Sequence, residues 1–169
     1  MGLRDVSSVE KVVEELSAQN YLADRGLATA VFLSLRQNRP LLLEGEAGVG
    51  KTELAKSLSN WAEGDLIRLQ CYEGIDSNQA VYEWDYARQL LHLRTAEASG
   101  RTEDVSTDIL EGELYDERFL IRRPLLQALS VKNDPPPVLL IDEIDRADDE
   151  FEAFLLEILS EYSITIPEL

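Results

Sequence analysis

"LLLEGEAGVGKTELAKSL", Leu41 to Leu58, decides how this chain is read. Pro40 stops any preceding helix, and the leucines that follow it predict a short strand, "LLLEG", buried on both sides. Gly45 comes next, then four residues, then Gly50-Lys51-Thr52, then a run of helix formers. This spacing has a physical purpose. Backbone N–H groups can wrap a phosphate only where Cβ atoms and ordinary φ angles do not obstruct them. A helix starting near Lys51 adds its positive N-terminal end to the same anion. Gly45, Glu46, Ala47, Gly48, Val49, Gly50, Lys51, Thr52 and Glu53 are therefore the predicted phosphate-binding stretch. Lys51 is expected to reach the β- and γ-phosphates, and the Thr52 hydroxyl to ligate magnesium. The bland alternative is a glycine-rich turn before an ordinary helix. Its position between a buried strand and a helix favours the phosphate loop.

Such a site needs a carboxylate at the tip of a neighbouring strand to hold the metal. "LLIDEIDRADDE", Leu139 to Glu150, supplies one: an apolar strand runs into six acids. Asp142 stands at the strand end as the expected magnesium ligand. Glu143, the next residue, is the expected catalytic acid–base group that orients or deprotonates the attacking water. Asp145, Asp148, Asp149 and Glu150 read instead as a soluble helix start, with Asp148 or Asp149 as its cap. Arg146 suits a surface ion pair with a local acid better than a contact to another subunit or a nucleotide.

Composition narrows the remaining possibilities. The chain has 169 residues, enough for one domain with a real core, and a formal charge of −17. That charge repels phosphate backbones and anionic membranes, and the densest basic pair is only Arg122–Arg123, so neither nucleic acid nor membrane is expected as a partner. A magnesium-bound nucleotide depends on a local pocket and stays possible. The single cysteine, Cys71, forms no internal disulfide and fits a reducing compartment. No secretory signal opens the sequence, and no apolar run approaches the ~20 residues of a membrane helix. A soluble, cytoplasmic protein is expected.

Outward from the two motifs, strands alternate with helices. "SSVEKVVEEL" predicts a first helix capped from Ser7 to Glu10, with Val9, Val12, Val13 and Leu16 at helical spacing. A second helix is expected from about Asp24 to Arg36, and "LIRLQCY" as a second strand. One long helix is expected from Asp76 towards Ala98. "SGRTEDVSTD" reads as a polar linker, the stretch around Phe119 to Leu129 as amphipathic, and "NDPPP" as a stiff turn. "VLLID" is the next strand, "EFEAFLLEILSEY" a helix and "SITI" the start of another strand. The fold class is α/β with a largely parallel sheet. Trp84, Tyr82, Tyr86 and Leu90 form an aromatic–apolar stripe, better suited to a core than to a partner-gripping face. His92 and Cys71 read as packing residues, not metal ligands.

The pairing of "GEAGVGKT" with "LLIDEIDRA" resembles the AAA+ ATPases, specifically their MoxR group. "LIRLQCYEGID", "YEWDYARQLL", "RRPLLQAL" and "IDEIDRADDEFEAFLLEILSEYSITIPEL" are similar to its CoxD-like branch, which accompanies carbon monoxide dehydrogenase and related molybdenum hydroxylases. The resemblance runs from about Ser8 to the end. It implies a P-loop NTPase fold, a three-layer αβα arrangement binding ATP and magnesium. It also implies ring oligomers, usually hexamers, that hydrolyse ATP at subunit interfaces. A von Willebrand factor A domain protein and a metalloenzyme client are the implied partners. Tyr21 and Leu22 would border the adenine.

On this resemblance, residues 1–39 are N-terminal helices and 40–64 the Walker A strand, loop and helix. Residues 65–134 hold the second strand, a helix and an insert, since Thr52 and Asp142 stand farther apart than the roughly 55–60 residues that helix, strand, helix and short loops need. Residues 135–169 hold the Walker B strand, its helix and the start of a hairpin. The family's sheet order, 5-1-4-3-2, sets the phosphate-loop strand beside strands that would follow Leu169. An N-terminal fragment is therefore expected, without the C-terminal strands, sensor strand, arginine finger and helical lid. Two functions compete: an ATP-driven remodelling enzyme, and a nucleotide-binding scaffold or inactive fragment without turnover of its own. A GTP-using or DNA-linked relative is disfavoured by the charge and by the absence of a guanine-reading stretch.

Overall fold

The computed structural model describes residues 6–46, 48–98, 112–130 and 135–169. Ala47, the "SGRTEDVSTD" linker and the first part of "NDPPP" lie outside the described residues. Helix α1, Val9–Ala18, starts where the Ser8 side chain accepts a hydrogen bond from the Lys11 amide at 3.2 Å. The cap is thus one residue later than the Ser7–Glu10 spacing predicts, because Ser8 is the residue in extended backbone. Helix α2, Arg25–Gln37, is capped by Asp24, which accepts from the Leu27 amide at 2.8 Å. Helix α3, Lys51–Ala62, begins at Gly50 and ends at Glu63 in left-handed backbone.

Strand β1, Leu66–Gln70, pairs in parallel with β4, Val138–Asp142, the register running from Leu66 opposite Val138 to Gln70 opposite Asp142. A parallel pair needs a long crossover, and everything between these strands supplies it. Two apolar clusters cover the sheet. One gathers Leu69, Cys71, Ile75, Val81 and Leu125 with Phe151, Leu155 and Ile158 of α7, Asp149–Glu161. The other gathers Val12, Leu16, Ala28, Val31, Leu54 and Trp61 from α1, α2 and α3. Fully burying a leucine such as Leu16, Leu54 or Leu125 contributes roughly 1.5–3 kcal/mol each, so these clusters hold the layers together. Helix–sheet–helix layering around a parallel pair is the expected α/β architecture.

Three elements differ from expectation. The stretch from Asp76 to Ala98 is not one helix: it divides into α4, Ser77–Ala80, strand β2, Tyr82–Trp84, and α5, Tyr86–Ala98. The break has a tertiary cause. Strand β2 pairs antiparallel with β3, Leu120–Arg122, with Trp84 opposite Leu120, and the β-favouring Val81, Tyr82 and Trp84 make the switch cheap. The aromatic stripe therefore splits: Trp84 is buried edge-on to Tyr115 at 5.2 Å, whereas Tyr86 and Leu90 are exposed. Secondly, residues 41–46 make no strand, and Leu42 is 71% exposed, so they are not buried on both sides. Leu41 and Leu43 do pack against the α1–α3 cluster. An extended segment becomes a strand only through a hydrogen-bonded neighbour, and among the described residues it has none. Thirdly, "SITI" forms no strand, for the same reason.

The remaining helix, α6, Pro124–Ala128, carries Leu125 into the first cluster. Gly64, between α3 and β1, makes the tightest backbone approach of its kind described: a Cβ there would lie 2.3 Å from the Pro136 carbonyl oxygen. That contact packs the "PPP" stretch, and hence the entry to β4, against the exit from α3. Arg122 and Arg123, the densest basic pair, each take an acidic partner, Glu117 at 3.6 Å and Glu83. No helix among the described residues is long and apolar enough to cross a membrane.

Candidate functional site

The glycine loop has the left-handed backbone that its spacing predicts. Gly48 and Gly50 sit at φ 84° and 95°, values that side-chain-bearing residues rarely adopt. Gly50 is the N-cap of α3 and brings no capping side chain, so the first-turn amides are left for another acceptor. Lys51 folds back over the loop: its ammonium donates to the Gly45 carbonyl and, at 2.9 Å, to the Glu46 carbonyl. A cation held, among the described residues, by neutral, exposed carbonyls is readily passed to an anion. Tyr21 lies against the loop, its ring 3.6 Å from where a Cβ on Gly50 would stand. Burial, and then the charge of Asp24, push the Tyr21 phenol above its ordinary pKa, so it stays a neutral, largely apolar wall. Leu22, the other residue expected beside the base, is 89% exposed.

Thr52 is half-buried in the first turn of α3. Glu53 points its carboxylate to Lys56 at 3.0 Å along the helix surface, and Val49 is exposed. Helix α3 packs against β4, which ends in the acid pair.

Asp142 is the last residue of β4, and its carbonyl accepts from the Cys71 amide at 2.9 Å, extending the parallel ladder by one step. Its carboxylate accepts from Arg68 Nη2 at 2.6 Å. Glu143 follows in left-handed backbone, φ 55°, and caps a 3-10 turn, Ile144–Arg146. Asn20, Asn38, Glu63 and Tyr162 share that conformation, but each stands at a helix C-terminus, where it is routine. Glu143 alone among the described non-glycine residues adopts it at a strand end. Backbone held this way costs of order 1–3 kcal/mol and clusters where geometry serves function. It sends the Glu143 carboxylate to Arg146 Nε at 2.7 Å, the local ion pair expected of that arginine.

Of the other acids, Asp148 caps α7 by accepting from the Phe151 amide at 2.9 Å, and Asp149 and Glu150 lie in its first turn. Cys71 is buried, its thiol pushed up by burial and then by Asp142 and Asp145. His92 contacts Glu113 at 3.0 Å and the ring of Phe119, and no cluster of three or more metal-ligating side chains occurs among the described residues. An open depression lined by Val9, Glu10, Val13, Glu14, Ala23 and Arg25 contains none of the loop or strand-end residues.

Arg68 is the residue that sequence reasoning missed. Its signal is an alternation: Arg68 and Gln70 are exposed while Leu69 between them is buried, so β1 turns a polar edge towards the acid of β4.

Neither the curated proteins nor the solved structures compared with this chain gave a match. A family model of the AAA domain matches residues 35–166, from the end of α2 through the loop, the acid pair and α7. The match takes in the glycine backbone, the helix starting at Lys51 and the acid pair at the end of a parallel strand, and the chain belongs to the AAA-type P-loop ATPases.

Proposed function

We propose that this chain binds ATP with magnesium and hydrolyses it, as the nucleotide-binding core of a MoxR-type, CoxD-like remodelling ATPase. One observation carries the nucleotide reading: a left-handed glycine loop opens α3, and the strand against which α3 packs ends in Asp142–Glu143. The donor set suits magnesium. Asp142 and Thr52, a carboxylate and a hydroxyl, would hold the ion, which takes few protein ligands of this kind beside a nucleotide's phosphates. Bound there with nucleotide, magnesium neutralises phosphate charge. In this reading Lys51 moves from the loop carbonyls to the phosphate oxygens. Glu143 accepts a proton from water while the water oxygen attacks the terminal phosphorus and its bond to the leaving diphosphate breaks. Tyr21 lines the nucleotide's side of the loop.

The remodelling role, the ring assembly, the von Willebrand factor A domain partner and the molybdenum hydroxylase client rest on the motif resemblance. A nucleotide-binding scaffold without turnover is the second reading, favoured by the ion pair that already engages Glu143. One variant checks the nucleotide site and a second separates the two readings. Lys51→Ala abolishes binding of a fluorescent ATP analogue under both. Glu143→Gln leaves that binding within about twofold but lowers phosphate release at least 100-fold if Glu143 activates water. Equal phosphate release from wild type and Glu143→Gln would leave the scaffold reading standing.

A further inference from the structure

Asp142, the carboxylate read above as the metal ligand, is already paired. Arg68 Nη2 donates to its Oδ2 at 2.6 Å and to Gln70 Oε1 at 2.6 Å. The contact joins residues 74 positions apart and exists because β1 and β4 run in parallel register, with Gln70 opposite Asp142 and Arg68 two residues behind on the same face. The partners are unequally placed. The Asp142 side chain is 23% exposed and that of Arg68 is 52% exposed. The acid is held by the strand end, whereas the arginine is a long arm lying half in water. Gln70 gives the guanidinium a second acceptor on its own strand, so leaving Asp142 does not leave it without a partner.

We propose that Arg68 is a displaceable counter-ion that occupies Asp142 before the metal and sets the magnesium concentration at which the nucleotide site loads. The inference rests on the reading of Asp142 as the magnesium carboxylate. Its physics is competition. The guanidinium takes one of the acceptor sites of the Asp142 carboxylate, so a metal must compete for it, and its positive charge repels an arriving dication. The same pair keeps Asp142 from standing as an uncompensated charge at the strand end while the site is empty. Arg68 is thus a positioning residue: it acts on the metal through Asp142.

The test is a magnesium titration of the 169-residue chain with a fluorescent ATP analogue, on wild type, Arg68→Gln, Arg68→Met and Arg68→Lys. Manganese electron paramagnetic resonance gives a second, direct metal readout. Removing the charge should lower the half-saturating metal concentration by about fivefold, the scale of a partly exposed ion pair. Arg68→Lys, which keeps the charge, should stay within about twofold of wild type. Analogue affinity in chelator should change by less than about twofold in all three. Arg68→Met keeps the aliphatic stem, in case Arg68→Gln does not fold. In the wild type, the Arg68 Nε–H resonance should move when magnesium joins the nucleotide complex. An unchanged or raised half-saturation in the charge-removing variants, or a resonance that magnesium leaves in place, overturns the proposal. If the wild type binds no analogue with or without metal, the nucleotide reading fails and this inference falls with it. If the analogue binds and only the metal threshold ignores Arg68, the nucleotide reading survives alone.

Discussion

Glycine serves two different purposes here, and substitutions tell them apart. At Gly48 an added Cβ would meet nothing within 4 Å, so only the left-handed φ demands glycine. At Gly64 the reason is contact: the Pro136 carbonyl oxygen would lie 2.3 Å from the new Cβ and its carbon 3.1 Å away. Both obstacles are backbone and cannot rotate aside. Gly64→Ala should therefore destabilise by about 1–3 kcal/mol through overpacking, read as a lower urea midpoint at unchanged slope. An unchanged midpoint would mean that the "PPP" stretch is free to shift. Glu143 belongs to the same scale. Its left-handed backbone is not legible in "IDEID", because acids in that conformation are uncommon and their spacing leaves no mark. That the strand ends at Asp142 and runs into Glu143 was legible, from an apolar run ending in charge.

Elements show where local preference is enough. Helix α2 begins at the Asp24 cap and α7 at the Asp148 cap, as their sequences suggest. Helix α1 begins at Ser8, not Ser7, because two adjacent serines offer the same side chain and only the backbone decides which one caps. Ser8→Ala should cost about 1 kcal/mol in chemical denaturation and Ser7→Ala less than half of that. The reverse order would return the cap to Ser7. Strand β2 is the harder lesson. "VYEWDYARQLL" has enough helical spacing to pass as the middle of one helix, and its partner, Leu120–Arg122, is remote in sequence. A three-residue strand is decided by the neighbour with which it pairs.

At the scale of the molecule, the parallel pair β1–β4 organises everything else: it ends at Asp142, puts Leu69, Leu139 and Ile141 into one apolar cluster, packs against α3 of the other and brings Arg68 to Asp142. A second long-range contact ties residues 82 and 168, where the Tyr82 hydroxyl donates to Glu168 Oε2 at 2.9 Å. Glu168 is held below its ordinary pKa of 4.5, first by its own backbone amide and then by Tyr82. A carboxyl with a depressed folded value contributes stability that is present above the unfolded value and lost as pH falls below it. Wild type should therefore melt above Tyr82→Phe at pH 7, and the gap should close as the pH falls through 4.5 towards 3. A gap that stays constant down to pH 3 would show that the carboxylate is not what the tyrosine holds.

The sequence by itself determined the α/β class, the glycines that turn the backbone before α3, the acids in which β4 runs out and most helix ends, because each depends on residue types within a few positions of one another. Loop spacing, caps and apolar period are local physics. Only the tertiary structure decided that "LLLEG" lies extended without a ladder, that "YEW" leaves the helix, and that Arg68 rests on Asp142. Each depends on a hydrogen-bond or charge partner far along the chain, supplied or withheld by the way the elements pack.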